Sequence, residues 1–255
     1  MMPLKGYIAS MRRLMCLLLI MVLSFSHVAT PSYAQSSSAP VLIRDTEIEE
    51  VFKEWAEPLL KEAKIPKDSV NIILVQSNEI NAFVAGGANI FFYTGLIKKT
   101  DGPEEILGVL AHEIGHIKAE HYLKTLAYSS EQKVPIVLGA ILGVGAAALG
   151  SAEAATALLS GGLATAQDGI LRHSRTHERQ ADKIAAKLLN QEGFSAVGLS
   201  SFFAKLQTSN FLYSRTPPEW LVTHPLPKQR ISAMQEHVKG ENFKQNINLN
   251  ADVFK

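Results

Sequence analysis

His112 and His116 stand four residues apart, with Glu113 directly after the first of them. On a helix that spacing puts both imidazoles on one face, able to meet one metal ion, with Glu113 beside the place a water on that ion would take. Two nitrogen ligands and a neighbouring carboxylate suit hydrolysis of a peptide bond, the carboxylate acting as general base. Zinc is the expected ion, one per chain, and it asks for a third protein ligand and an open fourth position. The only cysteine, Cys16, lies near the N-terminus among apolar residues, so histidines and carboxylates must supply the ligands. His173, His177 and Glu178 are the rival third ligands. Glu178 is preferred because Asp182 follows one helical turn later. One helix then supplies both a carboxylate ligand and an acid to hydrogen-bond the far nitrogen of a ligating histidine.

These residues need elements to carry them. Asp101 as N-cap, Pro103 in the first turn and Glu104 as a capping-box acid predict a helix start, and Leu107, Leu110, Ala111 and Ile114 then form one apolar stripe. Thr46 with Glu49 predicts a second capping box, ahead of a helix burying Ile48, Val51, Phe52, Trp55 and Leu59. The run from Val70 to Val75 reads as a buried strand, and Ala82 to Thr94 as a Gly-Gly hairpin ending in the strand Ile90 to Tyr93. The edge of such a sheet can pair with an extended substrate, although a purely structural sheet fits these residues equally well. Thr176 to Ala186 is clearly helical and stops at Gly193, and Ser195 to Leu206 predicts a packing helix with Phe202, Phe203 and Leu206 inside. Pro217-Pro218 and Thr223-His224-Pro225-Leu226-Pro227 make a stiff loop leading to Arg230 and Ile231. The expected class is α+β: a mainly helical, zincin-like metallopeptidase domain with a small β-sheet.

Composition sets the surroundings. The 255 residues suffice for one domain with a full core, and the net charge is +1. Arg12-Arg13, an apolar run from Leu14 to Phe25 and Ser32-Tyr33-Ala34 read as a signal peptide over residues 1–34, which predicts export. Its removal takes Lys5, Arg12 and Arg13 and no acid, leaving a net charge of −2, so nothing basic calls for nucleic acid. A Ser-rich linker (35–44), the catalytic domain (45–240) and a short tail (241–255) follow. Within the domain, 134–152 and 154–167 carry no charge and are separated by Glu153. A single membrane crossing there would part Glu178 from His112, and the Ala- and Gly-rich composition inserts weakly. A helical hairpin over 134–167, in peripheral contact with a membrane surface, is the expectation.

Taken together the residues resemble the gluzincin metallopeptidases of family 48, the family of the CAAX prenyl endopeptidases and HtpX, with the exported BepA type most similar. The resemblance runs from the helix at Thr46 to about Lys239. It rests on Asn81-Ala82-Phe83 with Gly86-Gly87, on His112-Glu113-Ile114-Gly115-His116, on Glu178 with Ala181-Asp182, and on Thr223-His224-Pro225 with Arg230-Ile231. It implies His112, His116 and Glu178 as zinc ligands, Glu113 as general base, and His224 in a loop at the metal. It also implies a periplasmic quality-control role on unfolded or misassembled envelope proteins, near the outer-membrane assembly machinery. BepA-type proteins continue into C-terminal helical repeats, which the present 255 residues do not include, so docking through those repeats is not implied for them. At the metal, a neutral His224 can fill the open position at rest or donate to a developing oxyanion with Arg230 beside it, or it can simply pack on Trp220. The resting cap is the expectation carried forward. A zinc-bearing holdase and an integral membrane peptidase are the rival functions, and an intact Glu113 argues against the first.

Overall fold

The computed structural model describes residues 41–43, 45–131, 151–207 and 218–241, with several positions between 133 and 143. The signal peptide, most of the linker and nearly all of the tail expected from the sequence lie outside the described residues. In chain order the elements are β1 (Val41–Ile43), α1 (Thr46–Ala63), β2 (Asn71–Gln76), β3 (Ala82–Ala85), β4 (Asn89–Tyr93), α2 (Thr94–Lys99), α3 (Pro103–Lys118), α4 (His121–Glu131), α5 (Ala152–Gln191), α6 (Val197–Leu206), α7 (Glu219–Thr223) and α8 (Lys228–Lys239). The fold is α+β and mainly helical, with one small mixed sheet.

The sheet runs β1-β2-β4-β3, with β2 and β4 parallel and the two outer pairs antiparallel. Gly86 and Gly87 adopt φ of +58° and +99° in the turn between β3 and β4, a left-handed pair that side chains disfavour and hairpins require. β3 is therefore an edge strand. Residues 41–43, given to the linker by the sequence reading, instead form β1 and pair with β2. Alternation is weak in so short a strand, and Val41 and Leu42 remain exposed.

α3 is the helix around which the others pack: α1, α5, α6 and β3 all lie against it. Its stripe of Leu107, Leu110, Ala111 and Ile114 is buried, as its period predicts. Two glycines let its neighbours come close. A Cβ on Gly108 would lie 2.6 Å from the Leu199 nitrogen on α6, and one on Gly115 would lie 2.8 Å from the Ala181 carbonyl oxygen on α5. The starts of α1 and α3 differ from the predicted caps. Asp45, not Thr46, caps α1 by accepting from the Glu47 and Ile48 amides. α3 begins after Gly102 with Pro103 first. Asp101 does not cap it: its amide donates to Glu105 at 3.1 Å, and its carboxylate pairs with Lys205.

α5 is a single helix of 40 residues, about 60 Å long, that joins the second arm of the expected hairpin to the Glu178 segment without a break. Its far half buries Ala181, Ala185, Leu188 and Leu189, while Leu158, Leu159 and Leu163 of its first half are exposed. The described part of the first arm meets it backbone to backbone: a Cβ on Gly162 would lie 2.6 Å from the Pro135 oxygen. Residues 144–150, between the two arms, lie outside the described residues. Among the described residues no helix is long and apolar enough to cross a membrane. The last elements close over the site. The Trp220 amide donates to the Ile80 oxygen at 3.0 Å, and the Thr223 hydroxyl to Asn81 Oδ1 at 3.2 Å, so α7 is sewn to the loop residues that lead into β3.

Candidate active site

α3 places the rings of His112 and His116 on one side, and α5 brings Glu178 up to them. The two Nε2 atoms are 3.1 Å apart, His112 Nε2 is 3.3 Å from Glu178 Oε2, and His116 Nε2 is 3.4 Å from Glu178 Oε1. A tetrahedral ion with bonds of about 2.0–2.1 Å holds its ligand atoms roughly 3.3 Å from one another. The three side chains thus have the separations of a metal-ligand face, and the donor set, two imidazoles and a carboxylate, suits zinc. His224 joins them, the four donor atoms lying within 4.8 Å of one another. Its Nε2 lies 3.0 Å from the Ala82 carbonyl oxygen and donates to it, while Nδ1, 3.2 Å from Glu178 Oε2, faces the cluster. The ring also stacks on Trp220 at 4.2 Å. Packing on Trp220 and reaching the site, weighed as alternatives from the sequence, are one conformation.

Behind the ligands lies a buried charge network. Asp182 Oδ1 is 3.1 Å from His112 Nδ1, the far nitrogen, although the contact falls short of hydrogen-bond alignment. Arg230 donates from Nε and Nη2 to the two Asp182 oxygens at 2.7 and 2.8 Å, and its Nη1 is 2.9 Å from Glu178 Oε2 and 2.8 Å from the Pro225 oxygen. The guanidinium is therefore engaged on every nitrogen, holding the two carboxylates. Burial opposes ionisation of both acids. For Glu178 the neighbouring His224, His112 and His116 outweigh it, and for Asp182 Arg230 and His112 do, so both stay ionised below the usual carboxylate range. Burial likewise opposes the charge of His112, but the adjacent carboxylates of Asp182 and Glu178 raise it to about 9 in the metal-free protein. Desolvation holds His116, half-buried beside it, well below the ordinary histidine value.

Glu113 is fully buried, and among the described residues neither of its oxygens has a hydrogen-bond partner, with His224 Nε2 lying 3.7 Å from Oε1. Burial pushes its carboxyl up, partly offset by His224 and His112. A desolvated carboxylate with free lone pairs beside two ligands is what a general base requires. A cleft of about 370 Å³ opens here, lined by Phe83 and Val84 of the edge strand on one side and by Tyr122, Tyr128, His173 and His177 on the other. His173 and His177, the rival third ligands, are not among the converging atoms: His173 stacks on Tyr128 at 4.2 Å and His177 on His121 at 4.0 Å. Crowding by burial and by His121 and His173 lowers His177 to about 4, so it stays neutral.

Sequence reasoning passed over His121 and Gln180. His121 is 3% exposed, with Nδ1 3.0 Å from His116 Nδ1 and Nε2 3.2 Å from Gln180 Oε1. The available signal was a third histidine five residues after His116, a spacing that an unbroken helix would have turned away.

Known proteins bear on this geometry. Residues 43–238 match Peptidase family M48. The beta-barrel assembly-enhancing protease of Yersinia pestis is 33% identical over 196 residues, which are 77% of this chain and 40% of that protein. The beta-barrel assembly-enhancing protease of Escherichia coli (strain K12) is 31% identical over 195 residues, 76% and 39% of the two chains. The mitochondrial metalloendopeptidase OMA1 of Schizosaccharomyces pombe is 27% identical over 157 residues, 61% and 43%. The chain spans about two fifths of the length of these relatives. With a family match over most of its length and a buried His, His, Glu cluster inside that match, the chain belongs to peptidase family M48 and carries its metalloendopeptidase domain.

Proposed function

We propose that this chain is a zinc-dependent endopeptidase of the periplasm, exported by a leader cleaved after Ala34, that hydrolyses unfolded or misassembled envelope proteins. The observation that carries the reading is the metal-ligand spacing of His112, His116 and Glu178 around one point, with the Glu113 carboxylate, free of hydrogen bonds among the described residues, beside it. When bound, zinc supplies a Lewis acid that acidifies water and polarises a carbonyl. Glu113 takes the proton of the attacking water and delivers it to the leaving amine. His224, pinned by the Ala82 carbonyl, caps the cluster at rest and must swing aside with its loop for substrate to enter. β3 offers its free edge to an extended substrate backbone, and the cleft beside it takes the adjoining side chains. Apart from Glu113 and Glu178 no acid, lysine or arginine among the described residues lines that cleft, which favours apolar side chains of strands that have not reached their folded place. The two assembly-enhancing relatives support substrates connected with β-barrel assembly. The exposed leucines of α5 support a peripheral contact with the membrane surface.

The decisive experiment is Glu113→Gln. Metal analysis should find zinc at wild-type occupancy, while hydrolysis of an unfolded β-barrel substrate should fall by about a hundredfold or more. Turnover near wild type would sink the mechanism. His224→Ala should keep zinc, since three ligands remain, and raise basal cleavage. A lower kcat would instead assign His224 to the oxyanion.

A further inference from the structure

His121 lies where the helix period alone would not put it. Five residues along a continuous helix amount to about 500°, so residue 121 would point some 140° away from His116. The chain breaks instead. α3 ends at Lys118, Glu120 adopts a left-handed φ of 56°, and α4 restarts at His121, which turns its ring back against His116. Among the described residues the other non-glycine with positive φ is Lys64, at the end of α1, where such a residue commonly caps a helix. A glutamate in that conformation between two helices is held by its surroundings, and its effect is the approach of two imidazoles.

The order of protons follows from the end of the chain of contacts. Gln180 turns Oε1 towards His121 Nε2, and an amide oxygen only accepts, so Nε2 carries the proton of a neutral His121. His121 Nδ1 is then bare and accepts from His116 Nδ1 at 3.0 Å. With its one proton spent there, His116 Nε2 is bare, and it is the nitrogen that faces His112 and Glu178. If Gln180 presented its amide nitrogen instead, every proton would shift by one place and His116 Nε2 would meet the metal with a hydrogen. We infer that His121 and Gln180 are positioning residues that fix the tautomer and ring orientation of His116, so that its Nε2 lone pair is ready for the metal before the metal arrives. The inference rests on the reading of His112, His116 and Glu178 as metal ligands. His121 stacks face to face on His177, which sets its ring plane, and Gln180 reaches it from the same helix as Glu178 and Asp182. One helix thereby controls the far nitrogens of both histidines, that of His112 through Asp182 and that of His116 through Gln180 and His121.

The test is zinc affinity, measured on the purified chain by competition with a chromogenic chelator, with circular dichroism of the metal-free protein as a check on folding. His121→Phe keeps the ring and its stacking and removes the acceptor, and should weaken zinc binding by about 10- to 100-fold. Gln180→Leu should act in the same direction. Gln180→Glu, which still accepts, should bind at least as tightly as wild type. The double variant should be no weaker than His121→Phe, because one relay is broken once. Affinity within roughly threefold of wild type for His121→Phe, or independent additive losses in the double variant, would overturn the inference. Should His121→Phe fail to fold, the exposed Gln180→Leu decides alone, and wild-type affinity there overturns it. A wild-type chain that binds no zinc would overturn the metal site itself, a result distinct from binding that the variants leave untouched.

Discussion

At His112 a proton and a metal compete for one buried ring. Burial disfavours the charge, yet the adjacent carboxylates of Asp182 and Glu178 lift its value to about 9, so the metal-free protein holds a proton there at neutral pH that the metal must displace. His116 is held well below the ordinary value and Glu178 likewise, so neither adds a proton to the exchange in this range. Apparent zinc affinity should therefore climb by about tenfold per pH unit between roughly 7 and 9, then flatten, as read by chelator competition. The same group sets a stability trend. A folded value above the unfolded 6.5 means that its contribution is fully present below about 6.5 and is lost as pH rises through 9. The Tm of the metal-free protein should fall over that interval, and loading with zinc should remove the trend. Arg230 makes the second residue-scale prediction. It is 1% exposed and compensates two buried carboxylates, so Arg230→Met should cost about 3–5 kcal/mol in chemical denaturation, with zinc binding weakened at the same time. Residues with a fixed chemical spacing were legible in the sequence: His112, Glu113, His116 and the Glu178 with Asp182 pair all lie on single helices. His121 was not, because its approach depends on Glu120 breaking the helix with neither glycine nor proline to announce it. The engagement of Arg230 was hidden for a related reason, since its partners stand 48 and 52 positions earlier in the chain.

Between elements, the meeting of α3 and α5 makes the site, and Gly115 permits it. A Cβ there would lie 2.8 Å from the Ala181 oxygen, a backbone atom that cannot swing away. Gly115→Ala should push α5 outward, cost about 1–3 kcal/mol and weaken zinc binding, because Glu178 and Asp182 ride on the displaced helix. Gly161→Ala is the contrasting case. On the exposed part of the same helix a Cβ meets nothing within 4 Å, so the gain in helix propensity should stabilise by up to about 1 kcal/mol. Thermal unfolding of the two variants, with zinc titration alongside, distinguishes a contact between elements from a property of one helix. The sequence conveyed the helices and the Gly-Gly hairpin because their periods and turn residues are local. Their ends were less legible. Adjacent polar residues compete for a cap, as Asp45 and Thr46 do, and a distant side chain such as Glu241 can take the role by accepting from the Ala196 amide at 2.9 Å.

For the whole molecule, the two halves of the site constrain which side of a membrane each part of the chain can occupy. His112 on α3 and Glu178 on α5 are 3.3 Å apart, and the long apolar stretch lies between them in sequence. One crossing within 134–167 would separate these residues by a bilayer and dismantle the site. The described part of the first arm also lies directly against α5, near Gly139 and Gly162, which returns the chain to the side it left. Ser130→Cys and Arg175→Cys bracket the stretch at exposed positions, and the natural sequence holds no other thiol than Cys16. With the outer membrane permeabilised, a membrane-impermeant maleimide should label both positions in intact cells, at similar rates. Labelling of one position alone, with the other reached only after lysis, would place the two motifs in different compartments and refute a single His, His, Glu centre. Labelling of neither before lysis would keep the hairpin and overturn export, since the site would be whole but inside the cytoplasm.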